Sequence, residues 1–449
     1  MAKRGVEEKN SSSKRRTSLS DLPDSLLCHI LSFLSTEESV RSSVLAQRWR
    51  NIWLKVPAFN LDSTQFGEVL DFVKFVDTFL ESEKELDLKR FRLVYHHDEE
   101  LLLDEDFDED DNFLDSWMDK LVERRVSHLD VELISEFNER LCMPMSLYSC
   151  NNLVKLNLYN LMLDIPESES AVSMPCVKSM HLNQVGYEGL VLQRLIPSYP
   201  VIEKLSIIRG PMELSDLTCV RSQSLKRFTL EVQREEHKVV DDHVVEIDAP
   251  KLEFLSLQDH SSETYIIHCI GSSAVVQIDV NFDLKPGSSL CSSERSMVHK
   301  FLRALSEVKD MEISYATLEV IHGFSKLEAL PQFYNLTWLK ASFNESLWEL
   351  LPTFLGCCPN LHTLVLEYES LTEAEPMKLS YVPPCFVSSL KFVELLTPVT
   401  GTSSQILARC FLTNCSVLQE LTLSKSFSNM IKQIKKIPKR STRCKIVID

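Results

Sequence analysis

Thirteen cysteines and twelve histidines are the residues of this 449-residue chain whose side chains could serve metal binding or nucleophilic catalysis. A zinc site or a redox pair would need two cysteines close in sequence, usually as C-x-x-C. The sequence has no such pair, and Cys357 and Cys358 are adjacent, which gives poor chelating geometry. The cysteines are therefore predicted to be reduced and buried thiols, and no metal or other cofactor is expected.

Sequence patterns of known catalytic sites are also missing. The chain has no G-x-S-x-G, no H-E-x-x-H and no glycine-rich phosphate loop, and only 10 residues are glycine. The pair His96-His97 borders an acidic stretch, and Asp241-Asp242 are adjacent acids. Solvated loop positions explain both pairs more simply than a catalytic role. We predict that the protein is not an enzyme.

The charge balance limits the classes of partner. With 65 acidic and 48 basic residues the formal charge is −17, which argues against general nucleic-acid binding. Residues 98–111 hold ten acidic side chains and no basic one, and we expect a solvated loop there. The sequence has neither an apolar run near the ~18 residues of a membrane span nor a secretory signal. A cytoplasmic or nuclear location is expected, and the basic residues before position 17 resemble a nuclear address.

Three short helices are predicted between residues 21 and 62. Pro23 suits the start of a helix, and the first helix is predicted over residues 24–34. Ser35 and Glu38 have the spacing of a capping box and open the second helix. The third carries two tryptophans four residues apart on one face, Trp49 and Trp53.

The first of these helices carries more apolar surface than one neighbour can cover. Its apolar side chains span roughly 160° of arc, whereas roughly 100° suffices for packing on one partner. A unit of about 40 residues is also near the size at which a lone core needs disulfides, a metal or a partner. We therefore predict that its second flank docks on another protein. The side chains concerned are Leu26, Leu27, Ile30, Leu31, Phe33 and Leu34.

The stretch LPDSLLCHILSFLSTEESVRSSVLAQRWRNIW strongly resembles the F-box. The resemblance implies binding of a Skp-type adaptor, which tethers a cullin-RING ubiquitin ligase. Ala46-Gln47 departs from the Ser-Lys more usual before Arg-Trp in plant members, without removing the motif. By position in the motif, the expected adaptor contacts are Leu22, Pro23, Ile30, Leu31, Val44 and Trp49.

From residue 88 onward, the frame apolar-x-x-apolar-x-apolar recurs thirteen times, mostly 23 to 29 residues apart. This is close to the period of leucine-rich repeats. A strand of this pattern points its fourth and sixth positions inward and its third and fifth outward. Apolar residues at helical spacing precede some frames, as in 293–305 and 403–412. The frames begin at Leu88, Val126, Leu153, Val177, Ile202, Leu225, Leu252, Val275, Val308, Leu336, Leu361, Leu390 and Leu418.

The frames resemble degenerate leucine-rich repeats, because the Asn or Cys expected three residues past each strand is largely missing. The segments VPPCFVSSLKFVEL and IPKRSTRCKIVI resemble the FBD region that ends many plant F-box proteins. The predicted fold is α/β: a small three-helix F-box, then an irregular leucine-rich-repeat solenoid with a curved, mostly parallel sheet and helices on its convex side. The predicted divisions are a disordered basic segment 1–19, the F-box 20–62, the repeats 63–381 including the acidic loop 98–111, and the FBD region with its cap 382–449.

The outward strand positions are where a protein target is expected, because solenoids bind with such concave surfaces and Arg and aromatic side chains anchor interfaces. We predict a substrate-recognition subunit of an SKP, cullin and F-box ubiquitin ligase, with an unknown protein target and neither a nucleic-acid nor a membrane partner. The alternatives are a repeat scaffold that recruits no ligase and a co-receptor for a small ligand on the same fold. The candidate target contacts are Arg90, Lys155, Lys204, Arg227, Phe254, Trp338 and Phe392.

Overall fold

The structure is a computed structural model whose chain divides into two compact units, residues 1–130 and 131–449. The predicted acidic loop 98–111 and the first eighteen residues lie outside the described residues. No helix of the described part is long and apolar enough to cross a bilayer. The structure describes residues 19–82, 86–97, 113–135, 141–164, 172–210, 217–233, 243–282, 290–368, 381–398 and 401–448.

The first unit begins with two short helices, α1 (Asp24–Leu31) and α2 (Thr36–Arg41). The predicted capping box is present, because Ser35 Oγ accepts from the Glu38 N–H at 3.2 Å and Glu38 Oε2 accepts from the Ser35 N–H at 3.1 Å. The start of α2 therefore follows directly from two side chains.

The predicted third helix is wrong, and α1 ends three residues before the predicted position. A 3-10 turn over Ser42–Val44 follows α2, and 3-10 turns over Gln47–Trp49 and Trp53–Lys55 replace the third helix. Serine hydroxyls mark the ends of α1 and α2, where they donate to main-chain carbonyls and compete with helical hydrogen bonds. Ser32 Oγ donates to His29 O at 2.7 Å at the end of α1, and Ser42 Oγ donates to Ser39 O at 2.6 Å at the end of α2.

The rest of the first unit is an aromatic-rich α/β segment. Trp53 stacks on Phe75 with ring centroids 6.0 Å apart, and Phe59 packs on Phe79 at 3.9 Å. These contacts join the N-terminal turns to the strand over Ala58–Asp62 and the helix over Val69–Glu81. The N-terminal helices and turns are therefore part of a larger core. The elements are β1 (Ala58–Asp62), α3 (Val69–Glu81), β2 (Arg90–His97), α4 (Phe113–Glu123) and β3 (His128–Ser135), of which β3 continues into the second unit.

The second unit is built on a long parallel sheet. Its strands follow one another across the sheet in the order β4, β6, β8, β10, β12, β14, β15, β16, β17, β18, β19 and β20. Each of these pairs is parallel. The strands are β4 (Lys155–Tyr159), β6 (Ser179–Asn183), β8 (Lys204–Arg209), β10 (Arg227–Val232), β12 (Phe254–Asp259), β14 (Val275–Val280), β15 (Asp310–Ile313), β16 (Trp338–Phe343), β17 (Thr363–Tyr368), β18 (Phe392–Leu396), β19 (Glu420–Leu423) and β20 (Lys445–Ile448).

A second layer of helices and short strands connects successive sheet strands. The helices are α5 (Val191–Leu195), α6 (Ser292–Leu305), α7 (Tyr315–Ser325), α8 (Leu350–Gly356), α9 (Pro384–Ser388), α10 (Thr402–Asn414) and α11 (Ile431–Ile434). The strands are β5 (Met162–Leu163) paired with β7 (Gly186–Tyr187), and β9 (Leu217–Arg221), β11 (Val244–Ala249) and β13 (Thr264–Ile270) in a three-stranded sheet. This alternation is that of a leucine-rich-repeat solenoid, and the predicted fold class is confirmed.

The inward positions of the repeat frame form the core. Leu252, Leu255 and Leu257 in β12 and the turn before it are at most 1% exposed. The fourth and sixth positions of all thirteen frames are buried, whereas the equivalent Ile446 and Ile448 of β20 are half-buried. The helix predicted before Val308 is α6, which buries Val298, Phe301, Leu302 and Leu305.

The predicted frame start at Val275 is wrong by two residues. Val275 lies opposite Phe254 and Asp310, which are both third positions, so the true first position is Ser273. The error arose because apolar residues continue with period two through β14, where Val276, Ile278 and Val280 are all buried. A period-two pattern fits equally well after a shift of two residues.

Gly271 lies where the chain passes from β13 to β14, and a Cβ there would be 2.2 Å from the main-chain oxygen of Leu252. We expect Gly271→Ala to lower stability by about 1–3 kcal/mol, because the backbone would have to move. The control is Gly323→Ala in α7, where nothing lies within 4 Å of the new Cβ and alanine should add about 0.5–1 kcal/mol. Thermal unfolding of the full chain measures both, and shifts of Tm in the same direction would contradict the close approach at Gly271.

Candidate protein-interaction surfaces

A set of apolar side chains on the N-terminal helices is exposed in the described structure. On α1, Leu27 and Leu31 are buried, while Ile30 is 38% and Phe33, just beyond the helix, is 77% exposed. Val44 is 85% exposed in the turn after α2. Exposed apolar residues in this number are typical of a docking surface. The exposed apolar set is Leu26, Ile30, Phe33, Leu34, Val44 and Leu45.

The residues expected to contact an adaptor fall into two groups. Pro23, Ile30 and Val44 are exposed and Leu22 is half-buried, so these side chains can reach a partner. Leu31 and Trp49 are 1% and 5% exposed. In this conformation they support the surface from beneath, because they complete the core between α1 and the following turns.

Four members of the exposed apolar set were not among the expected adaptor contacts: Leu26, Phe33, Leu34 and Leu45. For Leu26, Phe33 and Leu34, the wide apolar arc of the first helix was the signal in the sequence that they could face a partner. Motif position alone did not separate the buried side of that arc from the exposed side, because both sides carry leucine.

Arg48 and Trp49 hold the segment before α1 in place. The Arg48 guanidinium donates to the carbonyl oxygens of Ser20 and Leu22 and to Asp24 Oδ1, the last at 3.0 Å. Trp49 Nε1 donates to Ser20 Oγ at 3.0 Å. The hydrogen bond from Arg48 lowers the pKa of the Asp24 carboxyl, so this pair stays charged at neutral pH. The Arg-Trp dipeptide therefore positions the Leu-Pro start of the motif.

The outward residues of the second unit line up because the strands share one register. Six of the candidate target contacts lie at directly paired positions of the large sheet. We call this line of residues the third-position row. It runs Lys155, Ser179, Lys204, Arg227, Phe254, Val275, Asp310, Trp338, Thr363, Phe392 and Glu420. The seventh candidate, Arg90, pairs with Ala58 in the first unit.

The aromatic residues of the third-position row differ in how much of each side chain is exposed to solvent. Arg227 lies over the ring of Phe254, with its Cζ 4.4 Å from the ring centroid, so this ring orients a cation. Trp338 is half-buried, and Phe392 is 42% exposed. Phe392 is therefore the aromatic side chain of the row with the most surface for a partner.

Lys340 is the centre of a polar ladder on the same face. Its Nζ lies 2.8 Å from Glu312 Oε1 and 2.9 Å from Glu367 Oε1. Gln277 on β14 extends the ladder by donating to Glu312, and Ser342, on the same strand as Lys340, also donates to Glu367. Hydrogen bonds to Glu312 and then Glu367 raise the pKa of Lys340 above its ordinary value of 10.5.

The cysteines and possible metal ligands are the remaining candidates for chemistry among the described residues. No group of three or more His, Cys, Asp or Glu side chains placed to hold a metal ion occurs among the residues that the structure describes. Burial raises the pKa of the thiols of Cys385 and Cys410 to about 12, which makes them poor nucleophiles. Four cysteines, Cys142, Cys176, Cys269 and Cys291, are exposed, and for these the prediction of burial is wrong.

An exposed apolar face on a small helical segment, followed by parallel repeats with an outward row of charged, polar and aromatic side chains, is the arrangement of leucine-rich-repeat proteins with an N-terminal F-box. Three family models match in the corresponding order. The F-box domain matches residues 19–60, the LRR repeats of FBD-associated F-box protein At5g56370 match residues 114–277, and the FBD matches residues 378–423.

Relatives from Arabidopsis thaliana match along almost the whole chain. F-box/FBD/LRR-repeat protein At1g80470 is 44% identical over 440 residues, covering 96% of this chain and 90% of the relative. F-box/LRR-repeat protein 13 is 39% identical over 441 residues, covering 96% of each. The chain belongs to the F-box/FBD/LRR-repeat family, and the three resemblances seen in the sequence are confirmed.

The raised pKa of Lys340 predicts a pH-dependent contribution to stability. Lys340→Met should lower Tm by about 1–2 °C at pH 7, because Glu312 and Glu367 lose their shared cation. A raised pKa in the folded state means that the contribution is complete below pH 10.5 and disappears as the pH rises past the folded-state pKa. The Tm difference between wild type and variant should therefore shrink above about pH 10.5. Lys309→Met, at an exposed position before β15, is the control and should change Tm little at either pH.

Proposed function

We propose that this protein is the substrate-recognition subunit of an SCF-type cullin-RING ubiquitin ligase. The exposed apolar set on a segment that matches the F-box domain carries the proposal. Removing apolar surface from water is favourable by about 25 cal/mol per Å² before the entropic cost of association, so side chains such as Val44 and Phe33 favour a bound state. The partner proposed for them is a Skp-type adaptor, through which cullin and RING proteins join the complex.

The proposed role of the second unit is to hold a protein target on the outward face of its large sheet. The third-position row supports this, because cationic and aromatic side chains are aligned there and reach solvent. Catalysis would come from the partner enzymes, which act on a target held close to them. No residue of this chain is assigned a covalent step.

The adaptor surface can be tested by placing a charge at its most exposed apolar side chain. Val44→Asp should weaken binding of a Skp-type adaptor at least about tenfold, because a carboxylate would lose water on entering an apolar interface. The side chain is 85% exposed, so folding should be unaffected. The matched control is Val387→Asp, since Val387 is 49% exposed and lies outside the F-box. Calorimetric titration of the adaptor into the full-length variants measures the difference.

Equal adaptor affinity of the Val44→Asp and Val387→Asp proteins would contradict the proposed docking surface. Removal of residues 21–61 is a weaker test, because it would also uncover Phe75 and Phe79, which pack against Trp53 and Phe59. A scaffold that recruits no ligase would show no adaptor binding in any variant.

A further inference from the structure

The outward face of the large sheet is divided by charge. From β4 to β10 the outward positions hold mainly cations, and from β14 onward they hold mainly carboxylates. We call the first group the basic end; the charged outward residues of β4 to β10 are Lys155, Lys204, Arg227 and Glu231, and Glu132 on the adjoining β3 is acidic. We call the second group the acidic end; the charged outward residues of β14 to β20 are Asp279, Asp310, Glu312, Lys340, Glu367, Glu394, Glu420 and Lys445.

The cations of the basic end lack carboxylate partners within the described chain. Lys155, Lys204 and Arg227 are all exposed, and none forms an ion pair with a residue that the structure describes. Lys204 and Arg227 are directly paired on neighbouring strands, which lie about 4.8 Å apart. Like charges placed directly opposite each other destabilise a sheet, so a bound anionic group would relieve this repulsion.

Arg227 is also held in position. The ring of Phe254 beneath its guanidinium, at 4.4 Å, restricts the side chain before any partner binds. A restricted cation loses less conformational entropy on binding than a free one. This basic end occurs on a chain whose formal charge is −17, so the overall composition does not account for it.

The carboxylates of the acidic end are only partly neutralised by cations of the described chain. Lys340 contacts Glu312 and Glu367, and His260 Nε2 lies 2.6 Å from Asp279 Oδ1. Lys445 of β20 is directly paired with Glu420, but among the described residues neither Glu394 nor Glu420 has a cation within ion-pair distance. The face therefore has an excess of negative charge at one end and of positive charge at the other.

We propose that the target presents a polypeptide segment of opposite polarity, with an acidic stretch over the basic end and a basic stretch over the acidic end. This inference rests on the proposed function, which puts the target on this face. Charge complementarity of this kind sets orientation and specificity. From β4 to β19 there are ten strand-to-strand steps, or about 48 Å, which about 14 extended residues span. A nucleic acid would satisfy the basic end alone and be repelled by the other.

Two peptides of identical composition test whether separate acidic and basic stretches are recognised. Each has sixteen residues: six Glu, four Ser and six Lys. In one the Glu and Lys form separate blocks around the serines, and in the other they alternate. At low salt the block peptide should bind the full-length chain at least about tenfold more tightly, measured by fluorescence anisotropy. The difference should fall as salt shortens the screening length. Equal binding of the two peptides would overturn the proposal.

Charge-reversal variants of the protein test whether the block peptide binds at the basic end. Lys155→Glu, Lys204→Glu and Arg227→Glu together should abolish the advantage of the block peptide, and the milder triple change to Gln should reduce it. The control triple is Lys432→Glu, Lys435→Glu and Lys436→Glu, exposed residues near the C-terminus that change the net charge equally. Equal effects of the two Glu triples would overturn the proposal. Adaptor binding, measured on the same proteins, should be unchanged, so failure here is separable from failure of the adaptor surface.

Discussion

The parallel register of the large sheet is the constraint on which the second unit depends. Leucine and other apolar side chains fill the inward frame positions of every strand, as Leu255 and Leu257 do in β12. A shift by one residue would turn this whole set outward. Burial therefore holds each strand against its neighbours, and the outward residues become aligned as a consequence. The alignment of the third-position row therefore depends on the inward side chains, which are themselves buried in the core.

In the first unit, by contrast, some apolar residues are left exposed to solvent. Its helices bury Leu27 and Leu31 and leave Ile30 and Val44 in solvent, and Arg48 ties the preceding segment to the same structure. Packing of Trp53 on Phe75 makes this segment continuous with the core that follows. The segment is therefore stable enough within the chain to keep an uncovered apolar face available for a partner.

The two surfaces differ in the physical basis of recognition. An apolar face suits one constant partner, since burial of apolar area is strong and weakly selective. A face with separated charges suits selection among targets, because like charges brought together reject the wrong partner. The apolar face and the charged face thus lie on different units of one chain.

Much of this was determined by the sequence alone. The spacing of apolar residues predicted the repeat strands, α6 and the buried frame positions, because period two and period 3.6 are local properties. The capping box at Ser35 and Glu38 is likewise local. Other features were decided by tertiary structure: the replacement of a third helix by 3-10 turns, the burial of Leu31 and Trp49, and the two-residue shift at Val275. The separation of charge along the outward face belongs here too, because residues 21 to 35 positions apart become neighbours only when the strands pair.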